Sequence, residues 1–111
     1  IMGLSTSARS GLHGLSKALS REVAQFNITI NNLLPERIDT DRQTQMLNLQ
    51  AKLTGTSYEE SRKALEETLS AKRMGTAEEF SGICTFLCSQ QAAYISGQNI
   101  SVDGGNSTNL I

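Results

Sequence analysis

The residues with the clearest capacity for binding chemistry lie in one stretch, residues 27–41, in which Pro35 and Thr40 mark two boundaries. Ile28 and Ile30 alternate with polar residues, and two leucines precede the proline, a pattern typical of a buried strand. Pro35 cannot donate to a sheet ladder, so the strand should end there and become a loop that runs to Thr40, before a polar helical pattern. Open α/β sheets bind ligands at such carboxyl ends of strands, so we predict a ligand-binding loop here.

Two cysteines and one histidine could also take part in catalysis or metal binding, but their spacing favours structural roles. Cys84 and Cys88 lie four residues apart in an apolar helical pattern, but no histidine or third cysteine completes a metal-binding set. A disulfide within one helix is geometrically poor, so we predict two buried, reduced thiols and a reducing compartment. His13 has no catalytic partner nearby in sequence, and we predict that it lies on the solvated surface.

Length and composition limit the chain to one small domain of an ordinary soluble type. It has 111 residues, of which 38% are hydrophobic and 19% are charged. The net charge of −1, without any basic block, argues against a nucleic-acid partner. No apolar run approaches the roughly 20 residues of a membrane span, and the N-terminus does not resemble a signal peptide. These features predict a cytoplasmic protein that contacts neither nucleic acid nor membrane.

A helix over residues 5–24 opens the chain, and no strand precedes it, so we interpret residues 1–111 as the C-terminal part of a longer domain. Its apolar residues recur every three or four positions and predict one buried stripe, formed by Ala8, Leu12, Leu15, Leu19 and Val23. Gly11 and Gly14 lie in the same helix, where each costs about 0.5–1 kcal/mol relative to alanine. They indicate the close approach of another backbone, a second helix or a flat cofactor, unless they are simply weak helix positions.

Helix and strand alternate along the chain, which predicts an α/β fold. The first helix and the strand after it form half of a βαβ crossover, and the near-continuous apolar run of that strand favours a parallel strand covered on both faces. A helix late in the chain starts with the capping-box residues Thr76 and Glu79. It carries an apolar stripe that we predict to be buried, namely Phe80, Ile83, Cys84, Leu87 and Cys88. A short strand over residues 98–102 then ends in an Asp-Gly-Gly turn.

Residues 41–70 are polar and helical, and they predict two short helices joined at a glycine. Thr40 with Gln43 and Ser57 with Glu60 have capping-box spacing. Their narrow apolar edges are predicted to be Met46, Leu49 and Leu53 in the first helix and Ala64, Leu65 and Leu69 in the second. Such a hairpin is either a lid that closes over a substrate or an ordinary surface hairpin, and the sequence favours neither.

Several short blocks stand in an order that carries a family resemblance. They are Gly11-Leu12-His13-Gly14-Leu15-Ser16-Lys17-Ala18-Leu19 with Glu22, Ile28-Thr29-Ile30-Asn31, Pro35-Glu36-Arg37-Ile38-Asp39-Thr40, Arg73-Met74-Gly75-Thr76 with Glu79, Tyr94-Ile95-Ser96-Gly97-Gln98 and Val102-Asp103-Gly104-Gly105. Together they resemble the C-terminal half of short-chain dehydrogenases/reductases, in the branch similar to 3-oxoacyl-acyl-carrier-protein reductases. The resemblance implies the C-terminal half of a Rossmann-type, doubly wound parallel sheet with a helical lid. It also implies NAD or NADP as cofactor, and a homodimer or homotetramer.

The resemblance assigns cofactor-binding roles to residues of the loop. Pro35 would start the loop along the nicotinamide ring, Ile38 would contact the carboxamide through its backbone, and Thr40 would hold the carboxamide or pyrophosphate. The last role suits a residue at a helix start, because neighbouring N–H groups favour phosphate. The family generally has glycine after the proline, whereas Glu36 stands here, and its carboxylate is expected to weaken cofactor binding.

The same resemblance places Ser5 and Arg9 where the family has its catalytic Tyr-x-x-x-Lys pair. The tyrosine donates a proton to the nascent alkoxide, and its pKa, near 10 when unperturbed, is lowered by the adjacent cation. A serine hydroxyl is shorter and much less acidic, so Ser5 cannot simply take that role. Arg9 can still hold the ribose hydroxyls of the cofactor, being a permanent cation with several donors. Similar Ser/Arg variants occur in divergent members of the family.

Three hypotheses follow from these observations. The first is an NAD(P)(H)-dependent oxidoreductase acting on a carbonyl or alcohol substrate. The second is a cofactor-sensing or assembly subunit that keeps the fold without the chemistry, and the third is a packing unit without independent function. In each case the expected partners are an N-terminal half of the same fold and further copies of the chain, through the first helix and through residues 76–102.

Overall fold

The computed structural model describes residues 2–108, and it confirms the predicted alternation of helices and strands. Four α-helices, two strands and two 3₁₀ turns follow one another in this order: α1 Met2–Val23, the turn Ala24–Phe26, β1 Asn32–Pro35, α2 Asp41–Thr54, α3 Tyr58–Thr68, α4 Ala77–Leu87, the turn Gln90–Ala92 and β2 Asn99–Val102. The two predicted lid helices are α2 and α3. Residues 1 and 109–111 of the proposed domain lie outside the described range.

The two strands pair with each other and run parallel. The N–H of Asn32 donates to the carbonyl of Gln98 at 2.8 Å, and the N–H of Glu36 donates to the carbonyl of Val102 at 3.2 Å. Because both partners advance by four residues, the strands point the same way. This pairing confirms an α/β arrangement with parallel strands.

The first strand is shorter and less buried than the apolar pattern predicts. It begins at Asn32, because Ile30 and Asn31 bond to a turn instead of a ladder: Ile30 receives a bond from the N–H of Gly97 at 2.7 Å, and Asn31 Nδ2 donates to the carbonyl of Ile95 at 2.8 Å. It ends at Pro35, as predicted. No residue from 28 to 34 is fully buried, so the expectation of a strand covered on both faces is wrong for the described residues, in which β1 has one neighbour, β2.

The chain divides into two compact units. Among the described residues, unit 1 contains residues 2–34 and 83–100, and unit 2 contains residues 35–82 and 101–108. Helix α1 therefore belongs to unit 1, whereas α2, α3 and the loop between β1 and α2 belong to unit 2.

Helix α1 packs within unit 1 through serines, so the predicted apolar stripe is on the wrong face. Ser16 and Ser20 are 7% and 4% exposed, whereas Leu12 and Leu15 are 55% and 56% exposed. Ser16 Oγ donates to Asn32 Oδ1 at 3.2 Å, which explains why a small polar side chain replaces leucine at this contact. The helix also starts earlier than predicted, at Met2.

Three smaller predictions for unit 1 are also corrected or left open. His13 is half-buried in α1 and not fully solvated. Cys84 and Cys88 are free but exposed, and the other residues of the predicted α4 stripe, Phe80, Ile83 and Leu87, are only half-buried. A Cβ at Gly11 or Gly14 would meet no atom within 4 Å among the described residues. The close approach predicted at these glycines is therefore not supplied within the described chain.

Unit 2 has its own small core at the base of the helical hairpin. Leu47, Leu69 and Met74 are each about 5% exposed or less, and Tyr58 and Leu65 pack against them. The predicted edge of α2 is wrong, since Met46, Leu49 and Leu53 are exposed and the helix buries Leu47 and Ala51 on its opposite side. In α3 the prediction is right for Leu65 and Leu69, while Ala64 is exposed.

Two of the three predicted capping boxes form. The hydroxyl of Ser57 accepts from the N–H of Glu60, and the Glu60 carboxylate accepts from the N–H of Ser57. Thr76 and Glu79 make the same reciprocal pair. Thr40, however, occupies the N-cap position of α2 without any side-chain cap bond, so the predicted box with Gln43 is wrong.

Candidate functional site

The loop from β1 to α2 is fixed by backbone bonds within unit 2. The N–H of Asp39 donates to the carbonyl of Gly75 at 2.8 Å, and the N–H of Gly75 donates to the carbonyl of Arg37 at 3.0 Å, which forms a parallel bridge between Ile38 and Gly75. A Cβ on Gly75 would lie 2.9 Å from Ile38 Cδ1, so a larger residue there would require the Ile38 side chain to shift. The chain turns at Arg37, whose φ of 53° lies in the left-handed region.

The start of α2 presents several unused hydrogen-bond donors beside Thr40. The first intrahelical bond is from the N–H of Thr44 to the carbonyl of Thr40, so the N–H groups of residues 41–43 have no acceptor within the helix. The Thr40 hydroxyl makes no cap bond to these groups. The positive end of the helix dipole and these donors together favour an anion or a carbonyl oxygen.

A pocket of about 410 Å³ brings together three of the predicted cofactor-binding residues, Pro35, Ile38 and Thr40. Its remaining lining is Arg37, Arg42, Gln43, Ala77 and Phe80. Pro35, Ile38 and Phe80 supply an apolar wall, and the two arginines supply permanent positive charge. This donor set fits a ligand that has a flat apolar part and an amide or phosphate group.

The two arginines and Phe80 were not predicted as site residues. Arg42 carried a usable signal, because it lies in the first turn of the helix that follows the predicted loop. Arg37 and Phe80 carried none, since the first depends on a left-handed turn and the second on a helix that begins 37 residues after Thr40.

Glu36 lines a second cavity of unit 2, of about 190 Å³. Its carboxylate accepts a hydrogen bond from Asn106 Nδ2 at 2.8 Å, so its charge is directed to a partner within the chain. Its backbone does not need glycine, because the left-handed turn falls on Arg37. The charge expected to oppose a cofactor phosphate therefore lines a different cavity from Thr40.

The second cavity also contains a two-pronged ion pair. Arg73 Nη1 and Nη2 donate to the two carboxylate oxygens of Glu79 at 2.9 and 2.7 Å. These bonds from Arg73, together with the backbone N–H of Thr76, lower the pKa of Glu79 to about 2. The pair connects Arg73, just after the hairpin, with the first turn of α4.

Ser5 and Arg9 lie in unit 1, one helical turn apart on one face of α1. Ser5 is half-buried and Arg9 is exposed. The structure thus places the predicted catalytic pair on one helix face and gathers three of the predicted loop residues around one pocket. Their catalytic and binding roles stay predictions.

Within residues 2–108, no cluster of three or more histidine, cysteine, aspartate or glutamate side chains could hold a metal ion. None of the helices described there is long and apolar enough to cross a membrane.

Comparison with known proteins decides the family. The sequence model of the enoyl-(acyl carrier protein) reductase family matches residues 2–107, nearly the whole chain. The chain belongs to the short-chain dehydrogenase/reductase family.

Two curated short-chain relatives show the extent of the similarity. The NADPH-dependent reductase BacG of Bacillus subtilis is 38% identical over 97 residues, which are 87% of this chain and 38% of BacG. The 3-oxoacyl-[acyl-carrier-protein] reductase FabG of Escherichia coli is 37% identical over 98 residues, which are 88% of this chain and 36% of FabG. The chain therefore spans less than two-fifths of the length of these relatives.

A solved short-chain structure confirms the fold. L-sorbose reductase from Gluconobacter frateurii, in complex with NADPH and L-sorbose, superposes with a TM-score of 0.83 and 30% identity. The alignment covers 91% of this chain and 39% of that enzyme. The chain thus has the architecture of the C-terminal part of a Rossmann-type short-chain reductase, as the sequence predicted.

Proposed function

We propose that the chain is the C-terminal part of an NAD(P)(H)-dependent oxidoreductase that transfers hydride between nicotinamide and a carbonyl or alcohol substrate. The observation that carries the proposal is the pocket at the start of α2, where Thr40 is uncapped and three backbone N–H groups lack helical acceptors. An N-terminal half of the same fold, with the phosphate loop, then completes the cofactor site.

The pocket residues fit the nicotinamide end of such a cofactor. Pro35 lies where a flat ring can pack, and the Thr40 hydroxyl with the first N–H groups of α2 can bind the carboxamide or the pyrophosphate. The backbone of Ile38 is fixed by its bridge to Gly75 and is assigned to the carboxamide. When bound, the cofactor supplies the hydride, and these residues orient it and exclude water.

NADPH is the better supported of the two cofactors. BacG is named as NADPH-dependent, and L-sorbose reductase was solved with NADPH. Two arginines beside Thr40 are compatible with either cofactor, because both contain a pyrophosphate. Selection between them is proposed to reside in the N-terminal half, so NAD stays a candidate.

Ser5 and Arg9 favour a second candidate, a short-chain family member that has lost the chemistry and serves as a cofactor-sensing or assembly subunit. Serine cannot supply the proton that the family tyrosine supplies, and Arg9 presents a planar fork instead of an ammonium. An active enzyme needs water or an acid from the N-terminal half for this proton. Replacing Ser5 with Tyr and Arg9 with Lys should raise reductase activity if only the acid–base pair was lost, whereas unchanged activity indicates that the cofactor site was lost too.

Self-association through α1 is the proposed partner interaction. Leu4, Leu12, Leu15 and Leu19 are 79%, 55%, 56% and 38% exposed, which leaves an apolar stripe along the helix. We propose that a second copy covers this stripe in a homodimer or homotetramer. We also propose a cytoplasmic location, where the reducing environment keeps Cys84 and Cys88 as free thiols. If instead the chain is only a packing unit, expression of residues 1–111 alone should give an aggregated or partly molten product.

Direct titration of cofactor tests the proposal. NADPH and NADH are added separately to the full-length polypeptide that carries this chain, and binding is followed by calorimetry before any activity screen. We expect a dissociation constant in the micromolar range for one of them. Absence of binding at millimolar cofactor would contradict the proposal and favour the packing-unit hypothesis.

A further inference from the structure

Arg62 on α3 donates a hydrogen bond from each of its three guanidinium nitrogens within unit 2. Nη2 donates to Asp39 Oδ2 at 2.7 Å, Nε donates to Glu66 Oε1 at 3.0 Å, and Nη1 donates to the Tyr58 hydroxyl at 3.3 Å. Each of the three nitrogens therefore has a different partner. The bond to Asp39, followed by that to Tyr58, raises the pKa of Arg62, which stays charged at any physiological pH.

Only one of these partners lies outside the helix of Arg62. Tyr58 and Glu66 lie one turn on either side of it in α3, and Tyr58 packs against the hairpin core of Leu47, Leu69 and Met74. They fix the direction of the guanidinium before it reaches Asp39. Surface ion pairs contribute little when two flexible side chains must be ordered, but here the arginine is already held.

Asp39 is fixed from two directions, and it directly precedes Thr40. Its N–H donates to the carbonyl of Gly75, and its carboxylate accepts from Arg62. Both side chains of the ion pair are about one-third exposed, at 32% and 35%, so solvent screens the pair only in part. Because Thr40, the next residue, lines the pocket and occupies the N-cap position of α2, a movement of Asp39 would displace the start of α2.

We propose that Arg62 is a positioning residue that holds the 35–40 loop through Asp39 and keeps Thr40 directed into the pocket. The hairpin of α2 and α3 then acts on the loop through a specific contact and is more than a cover. The effect on cofactor affinity rests on the proposed function, whereas the effect on the loop itself does not.

The first arm of the test measures the loop without cofactor. Amide hydrogen exchange of residues 37–44 is compared in the full-length polypeptide and in the variants Arg62→Gln and Asp39→Asn. Each substitution is expected to speed exchange about fivefold to tenfold, and the double variant should be no faster than either single one, because both remove the same bond. Lys63→Gln and Glu59→Gln are the matched controls, since each removes one exposed charge of α3 that no hydrogen bond joins to Arg62 or Asp39, and they should change exchange less than about twofold.

The second arm measures the dissociation constant of NADPH in the same proteins. Arg62→Gln and Asp39→Asn are expected to weaken binding about fivefold, with equal effects and no additivity, while both control variants bind like the parent protein. Thermal unfolding of all variants separates this pattern from general destabilisation, and Asp39→Asn, which is isosteric, keeps the test valid if Arg62→Gln misfolds.

Three outcomes are distinguishable. Fast exchange in the Asp39 and Arg62 variants with normal exchange in the controls supports the positioning role, whether or not NADPH binds. Unchanged exchange in Arg62→Gln, or an equal change in the control Lys63→Gln, overturns it. Absence of NADPH binding by the parent protein defeats the proposed function alone, because the exchange measurement still decides the role of Arg62.

Discussion

The two units of the chain differ in how much apolar surface they bury. Unit 2 has a core of its own around Leu47, Leu69 and Met74, and its 35–40 loop is held by backbone bonds with Gly75 and by the Arg62–Asp39 ion pair. Unit 1 buries the hydroxyls Ser16 and Ser20 under α1 and leaves the leucines of that helix exposed. The contrast is consistent with two of the proposals, a cofactor site in unit 2 and a second copy that covers α1 of unit 1.

The largest expected effect is a loss in the free energy of unfolding, and it distinguishes a core leucine of unit 2 from an exposed leucine of α1. Leu47→Ala in unit 2 should lower the free energy of unfolding by about 2–5 kcal/mol, because it leaves a cavity in the hairpin core. Leu15→Ala in unit 1 should cost less than about 0.5 kcal/mol in dilute protein but weaken self-association. Urea unfolding at two protein concentrations, with sedimentation as a second readout, checks both. Equal losses in dilute protein would show that α1 already buries its leucines without a partner copy.

A pair of glycines in unit 1 tests the packing of α1 more finely. Gly97 has a φ of 69°, and a Cβ there would lie 2.6 Å from Ser20 Oγ, so Gly97→Ala should destabilise the protein by about 2–3 kcal/mol. Gly14 lies inside α1, and apart from the nearby backbone of that helix a Cβ there would meet no described atom within 4 Å, so Gly14→Ala should stabilise the dissociated protein by about 0.5–1 kcal/mol. Chemical denaturation of both variants gives the comparison. A loss of self-association in Gly14→Ala alone would identify the glycine face as the helix-pair interface.

The capping boxes of unit 2 give an intermediate effect. Ser57→Ala removes a formed box and should cost about 1 kcal/mol of stability. Thr40→Ala removes no cap bond, so its stability should be nearly unchanged while cofactor binding weakens. Thermal unfolding distinguishes them, and a comparable loss in Thr40→Ala would mean that its hydroxyl serves the helix.

The smallest effect is the acid dependence of the Arg73–Glu79 pair in unit 2. The pKa of Glu79 is lowered from 4.5 to about 2 in the folded chain, so its contribution is fully present above pH 4.5 and disappears as the pH falls through about 2. The difference in melting temperature between the parent and Glu79→Gln should therefore shrink across this range. Glu78→Gln removes a neighbouring charge outside the pair and is the control. A difference that stays constant down to the lower limit would contradict the assignment.

Local features of the fold could be predicted from sequence, and the orientation of helices could not. The capping pairs Ser57–Glu60 and Thr76–Glu79 depend on residues three apart, so the sequence contains everything that forms them. The buried face of a helix depends on what lies against it. In α2, Leu47 and Ala51 compete with Met46, Leu49 and Leu53 for that face, and the packing of α3 decides.

The candidate site shows the same division. The strand end at Pro35 and the placing of Thr40 at a helix start follow from proline chemistry and polar patterning. The Arg62–Asp39 contact joins residues 23 positions apart and depends on how the hairpin folds back, so no local pattern signals it. Thr40 itself violates the capping rule that predicted its partner, and such local exceptions are typical of functional positions.

The proposed function requires that the uncapped Thr40 hydroxyl at the start of α2 binds the nicotinamide cofactor. The most direct measurement is the NADPH dissociation constant of the full-length polypeptide with Thr40→Val, beside Thr40→Ser, which keeps the hydroxyl. We expect Thr40→Val to weaken binding about tenfold, because one hydrogen bond to the cofactor is lost, and Thr40→Ser to stay within about twofold of the parent. Equal binding by the parent and Thr40→Val, or no binding by the parent at millimolar NADPH, would contradict the claim.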